Sequence, residues 1–145
     1  MRVDFYQMSR DPAPAVAAML AKKTRGAGGR LLVVAAERDQ LAAISEAMWE
    51  SAPEDFLANG LAGGEHDARQ PILLSSEVVN ANDAGFLLLA DGEWRDPGTG
   101  FSRVMLLFDG ATIDGARGVW RELGKADGVE RRYWKQQGGR WIEGP

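Results

Sequence analysis

Apolar positions along the chain fall into two rhythms. Short unbroken apolar runs recur at Leu31-Leu32-Val33-Val34-Ala35, Pro71-Ile72-Leu73-Leu74-Ser75, Gly85-Phe86-Leu87-Leu88-Leu89 and Val104-Met105-Leu106-Leu107-Phe108. The run at 31–35, bounded by turn residues, predicts a strand buried on both faces of a sheet, and the other three predict further strands. Val3 to Met8 alternates weakly, holds Phe5 and Tyr6, and predicts an opening strand. Between the runs the spacing becomes helical. Val16, Met19 and Leu20 predict a first helix, entered through Asp11-Pro12 and stopped by Gly26-Ala27-Gly28-Gly29. Leu41, Ile44 and Met48 mark a second helix from about Glu37 to Glu50, and a third spans roughly Ile113 to Lys125. Residues 51–70, with Pro53, Gly60, Gly63 and Gly64, read as an irregular connection. Arg131 to Glu143 alternates enough for a last strand, or a hairpin through Gly138-Gly139.

Strand, helix, strand, helix, three strands, helix and strand is an α/β order. It predicts a three-layer, mostly parallel sheet flanked by helices, Rossmann-like but without a nucleotide-binding loop. The length of 145 residues, with no repeat or linker, reads as one domain over 1–145. A 45% hydrophobic and 26% charged composition fits a folded chain. The absence of cysteine excludes disulfides, thiolate metal sites and cysteine nucleophiles. No apolar run reaches the roughly 18 residues of a membrane helix. Met1-Arg2-Val3-Asp4-Phe5-Tyr6 lacks the order of a signal peptide, so a cytoplasmic location is expected.

Charge is unevenly spread. Residues 1–110 carry 10 Lys and Arg against 16 Asp and Glu, whereas residues 111–145 carry 7 against 5. The C-terminal quarter is therefore where an acidic partner is expected. Enzyme chemistry finds little support. A phosphate loop needs glycines between a strand and the helix that follows. The Gly26–Gly29 cluster lies between a helix and the next strand, while the strand-to-helix junctions read Ser9-Arg10-Asp11-Pro12 and Ala36-Glu37-Arg38-Asp39. The single histidine, His66, stands in the loop Gly63-Gly64-Glu65-His66-Asp67 and reads as loop surface.

Three features bear on binding. Trp49 falls about 80° around the second helix from Leu41, at the edge of the buried stripe and near Phe56 in sequence. Closing the core edge and forming an aromatic docking patch are equally open to the pair. On the third helix, Ile113, Ala116, Trp120 and Leu123 form an apolar face. Arg117, Arg121 and Lys125 recur every four residues as a basic stripe on its flank, which Asp114 and Glu122 are not expected to interrupt. Such a stripe is commonly a solvated face. The other reading is a groove with a cationic rim and an apolar floor, suited to an acidic peptide with a hydrophobic end. Arg131, Arg132 and Lys135 extend that rim from the final strand. Tyr133-Trp134 and Trp141 read as aromatics packing on the sheet before they read as base-stacking groups.

Val3-Asp4-Phe5-Tyr6, Gly29-Arg30-Leu31-Leu32-Val33, Glu46-Ala47-Met48-Trp49 with Asp55-Phe56-Leu57, Pro71-Ile72-Leu73-Leu74, Phe108-Asp109-Gly110 and Arg132-Tyr133-Trp134-Lys135-Gln136 occur in order over nearly the full length. In this ordered series the chain resembles the chi subunit of bacterial DNA polymerase III, a clamp-loader accessory family. The resemblance implies a non-catalytic replisome adaptor without cofactor or metal. It would bind the acidic C-terminal tail of single-stranded-DNA-binding protein and link it, through the psi subunit or another clamp-loader subunit, to the polymerase, with DNA contact indirect and no membrane contact. By position, Trp49 and Phe56 match the psi-facing aromatics. The tail-binding surface maps to the Ala111-Thr112 turn and Arg121, to which the helix periodicity adds Arg117 and Lys125 and the last strand adds Arg132 and Lys135. Gly124 departs from the pattern, standing where some members carry an aromatic. The alternative classes are a nucleotide-binding or hydrolytic enzyme on the same fold, and a direct nucleic-acid binder.

Overall fold

The structure, a computed structural model, describes residues 1–51 and 57–144. Along the chain run β1 (Arg2–Gln7), α1 (Ala13–Gly26), β2 (Leu31–Val34), α2 (Arg38–Ser51), β3 (Asn59–Leu61), β4 (Ile72–Ser75), β5 (Phe86–Leu89), β6 (Arg103–Phe108), α3 (Ile113–Leu123), β7 (Glu130–Gln137) and β8 (Arg140–Glu143). The strands form one open sheet in the order β3-β4-β2-β5-β6-β1-β7-β8. Every neighbouring pair is parallel except β7 with β8. The α/β class expected from the sequence is the class observed. Parallel strands need crossovers, and the crossover helices cover both faces.

Strand alternation sorts the core into two layers. On one face Leu31, Val33, Ile72, Leu74, Leu88, Met105 and Leu107 pack under α1 and α2. On the other, Val3, Phe5, Leu32, Val34, Leu73, Leu87, Leu89, Val104 and Leu106 pack under α3 and the connecting segments that carry Val78, Trp94 and Phe101. The Gly26–Gly29 cluster stops α1. Gly28 turns at φ 81°, and a Cβ on Gly29 would come within 2.8 Å of the Phe86 ring. The last two strands join as a hairpin whose two-residue loop puts Gly138 and Gly139 at φ 58° and 79°.

The irregular connection expected over 51–70 contains β3, a three-residue edge strand paired with β4. Asn-Gly-Leu has no alternation to announce it, and its extended form comes from pairing. Asp4, in the middle of β1, has no exposed surface. Its carboxylate accepts from Arg2 Nε and Nη2 at 2.9–3.1 Å, Arg103 Nε at 2.6 Å and Trp134 Nε1 at 2.9 Å. One buried charge thus ties β6, β1 and β7 together. Among the described residues, no helix is long and apolar enough to cross a membrane.

Candidate functional site

β6 and β7 flank β1, so the crossover through α3 passes over β1. Alternation turns Phe5 and Gln7 of β1, and Tyr133 of β7, toward this helix. Ala116 is the buried residue of α3, while Ile113, Trp120 and Leu123 are half-buried. An alanine at the point of closest approach leaves space beside it. The result is an open hollow of about 280 Å³ between α3 and the sheet. Phe5, Phe108 and Tyr133 form its floor, and Ile113, Ala116 and Trp120 its wall. Phe5 meets Trp120 edge to face at 5.1 Å between centroids, and Phe108 meets Tyr133 the same way at 6.4 Å. The Tyr133 hydroxyl donates to Gln7 Oε1, which fixes the ring over the floor. Arg117 stands on the rim.

The turn leading into α3 is held by reciprocal bonds. Asp109 Oδ1 accepts from the backbone N–H of Ala111 at 3.0 Å and of Thr112 at 3.2 Å, and Thr112 Oγ1 accepts from Asp109 N–H at 3.0 Å. Gly92, at φ 77°, lies beneath it, and a Cβ there would sit 2.6 Å from the Thr112 side chain. The Ala111-Thr112 turn therefore has a fixed position at the start of the helix that walls the hollow.

The predicted cations divide into groups. Arg117 is exposed and lies 3.9 Å from Asp114. Arg121 is exposed and, among the described residues, makes no ion pair. Lys125 lies 3.4 Å from Glu122. The two acids therefore do reach the stripe: Asp114 because i,i+3 residues are neighbours on a helix, and Glu122 because α3 ends at Leu123, two residues short of the expected Lys125, and the turn that follows brings Lys125 beside it. Pairs this exposed are worth a few tenths of a kcal/mol, about what a competing carboxylate displaces. On β7, Lys135 shares the face of Tyr133, is exposed, and among the described residues has no ion pair.

Arg132 is on the opposite face of the sheet, in register with Asp4. It pairs with Glu130 at 3.2 Å and Glu143 at 3.8 Å. The hydrogen bond to Glu130, helped by the pull of both acids, raises its pKa. The structure therefore separates Arg132 from the α3 cations. Arg131 faces α3 but is engaged inside the fold. Its guanidinium lies 4.3 Å from the Trp120 ring centroid, and Nη1 donates to the Trp120 carbonyl at 2.8 Å. It caps the helix end in the space left by Gly124, where a Cβ would come within 2.9 Å of Nη1.

Trp49 is 50% exposed on α2, one residue after the fully buried Met48; Phe56 lies outside the described residues. Trp134 and Trp141 pack on Tyr6, stacked at 6.1 Å and edge-on at 5.3 Å. The exposed His66 ring lies 3.5 Å from Glu65. The floor residues Phe5, Phe108 and Tyr133 were not among the expected site residues. Their signal was the shared parity of positions 3, 5 and 7 with 131, 133 and 135, readable once β1 and β7 are known to be neighbours.

The sequence model of the family described as DNA polymerase III chi subunit, HolC, matches residues 1–130. No curated protein matches the chain in sequence. In fold, the chain is similar to the C-terminal domain of S. cerevisiae Dbp5 in its structure bound to Gle1 and IP6. The TM-score is 0.56 and the identity 11%, over 92% of this chain and 90% of that one. At that identity the likeness is one of fold alone.

Proposed function

The chain belongs to the DNA polymerase III chi subunit family, and on that premise we propose that it is a non-catalytic adaptor of the replisome. In this reading the hollow beside α3 receives the acidic C-terminal tail of single-stranded-DNA-binding protein. The exposed Trp49 side of α2, with Phe56, engages the psi subunit or another clamp-loader subunit. One observation carries the reading: an apolar hollow of about 280 Å³ with Arg117 on its rim, and the exposed Arg121 one turn further along the same helix, on the flank toward Trp94.

A peptide end fits this arrangement chemically. A terminal apolar side chain buries against Phe5, Phe108 and Tyr133. The terminal carboxylate meets a guanidinium, which offers two parallel N–H donors. Preceding acidic residues lie along Arg121 and Lys135, where they contribute mainly to association rate and salt sensitivity. Two modest contacts on one adaptor gain strength by raising effective concentration, which links coated DNA to the clamp loader without direct DNA contact.

The test is fluorescence anisotropy with an acidic peptide of hydrophobic C-terminus. Arg121→Ala should weaken binding about fivefold, the loss of one exposed charge contact, with the melting curve unchanged. Unaltered affinity in both Arg117→Ala and Arg121→Ala would overturn the reading.

A further inference from the structure

We propose a second ligand site on the opposite face of the sheet, for a small organic anion that carries one flat ring. A hollow of about 340 Å³ lies between the C-terminal half of α1 and the strands β1, β6 and β7. Its size suits a compact small molecule. Trp134, Trp141 and Tyr6 form an aromatic wall, with the rings held at right angles or stacked by the contacts already described. Arg2, Arg103 and Lys23 supply positive charge to the same space.

The residues that line the hollow carry three positive charges, on Arg2, Arg103 and Lys23, and no negative one. Two guanidiniums, each about three-quarters covered, share the single carboxylate of Asp4. Arg2 spends Nε and Nη2 on Asp4, and Arg103 spends Nε on Asp4 and Nη2 on the Tyr6 hydroxyl. Among the described residues, Nη1 of each makes no hydrogen bond. The acids nearest in register, Glu130 and Glu143, lie outside that lining and pair with Arg132. Lys23 is exposed and, among the described residues, unpaired. Partly buried cations in excess favour an anion, and guanidinium N–H groups suit a phosphate or carboxylate. The aromatic wall selects a ring beside that anion. The hollow lies toward the amino ends of β1 and β6, whereas open parallel sheets carry nucleotides at the carboxyl ends.

Phosphate-bearing and carboxylate-bearing rings share this chemistry, and the experiment separates them. Two-dimensional NMR of the full chain follows the indole N–H signals of Trp134 and Trp141 during titration with dTMP, benzoate and inorganic phosphate. Saturable shifts of both indoles with dTMP or benzoate are expected, with the Trp49 indole unmoved. Whichever of the two binds identifies the source. Lys23→Ala, an exposed change, should weaken that binding about tenfold, as for one charge-assisted contact. Trp141→Ala should abolish discrimination between the ring-bearing anion and inorganic phosphate. Three results would each overturn the proposal: no saturable shift with any probe, inorganic phosphate binding as tightly as the ring-bearing anions in the unmodified chain, or Lys23→Ala binding unchanged.

Discussion

Replacing Asp4 by alanine removes the one negative charge to which three strands are tied. The side chain has no exposed surface, and it accepts from Arg2, Arg103 and the Trp134 indole. Taking one partner from a buried ion pair costs about 3–5 kcal/mol, because the remaining charge stays uncompensated. Arg2 and Arg103 keep 27% of their side-chain surface in water. Solvent therefore recovers part of that cost, and the low end of the range, about 3 kcal/mol, is expected. At roughly 3 °C per kcal/mol for a chain of this size, the melting temperature should fall by about 9 °C. Asp4→Asn keeps an oxygen for the Trp134 indole but no charge for the guanidiniums, so it should cost about 2 kcal/mol. Urea unfolding gives both numbers. A loss below about 1 kcal/mol for Asp4→Ala would show that the arginines are satisfied without the carboxylate, and the argument from burial would fail.

Other outcomes follow from the same geometry. Arg132→Ala should leave affinity for an acidic peptide at the α3 cleft unchanged, since Arg132 faces the other side of the sheet; anisotropy beside Arg121→Ala reads the contrast. Trp49→Ala should leave the melting curve and peptide affinity nearly intact while, under the proposed function, a pull-down with a clamp-loader subunit is lost; joint loss of all three would place the ring in the core instead. Burial alone would raise the pKa of Asp91, but hydrogen bonds from Arg95 and from the backbone N–H of Ala36 and Glu93 outweigh it and hold the pKa low. The stabilisation from Asp91 is thus present above about pH 4 and lost as pH falls through the lowered value. Arg95→Ala should therefore cost stability at pH 7 and progressively less below that point, measured by urea unfolding at several pH values.

The continuous runs at 31–35, 71–75, 85–89 and 104–108 revealed the central strands because both faces of those strands are buried, which leaves no polar residue to break the pattern. Leu41, Ile44 and Met48 revealed α2 for the matching reason, one buried stripe on a helix. β3 stayed hidden because its three residues carry no pattern and owe their form to β4. The arginine stripe of α3 was legible, since i,i+4 spacing needs no tertiary knowledge. The floor beneath it was not, because Phe5 and Tyr133 meet α3 through pairing between positions 128 residues apart. The same limit misplaced Arg132. A rim drawn from adjacent residues on a strand ignores the alternation that sends every second side chain to the other face. Gly124 departs from the family pattern, and the space it leaves is the one that Arg131 fills.

The position of β1 has a consequence for how the molecule is made. Its two neighbours in the sheet, β6 and β7, begin 101 and 128 residues later in the chain, with Arg2 beside Arg103 and Glu130. As the polypeptide leaves the ribosome, β2, β4 and β5 can pair while Phe5 and Tyr6 still lack both partners. Closing so long a loop is slow, and apolar strands waiting for it are open to misassociation. Nascent chains of this protein therefore have a late commitment step, and assistance by a holding chaperone would matter most before residue 137 emerges.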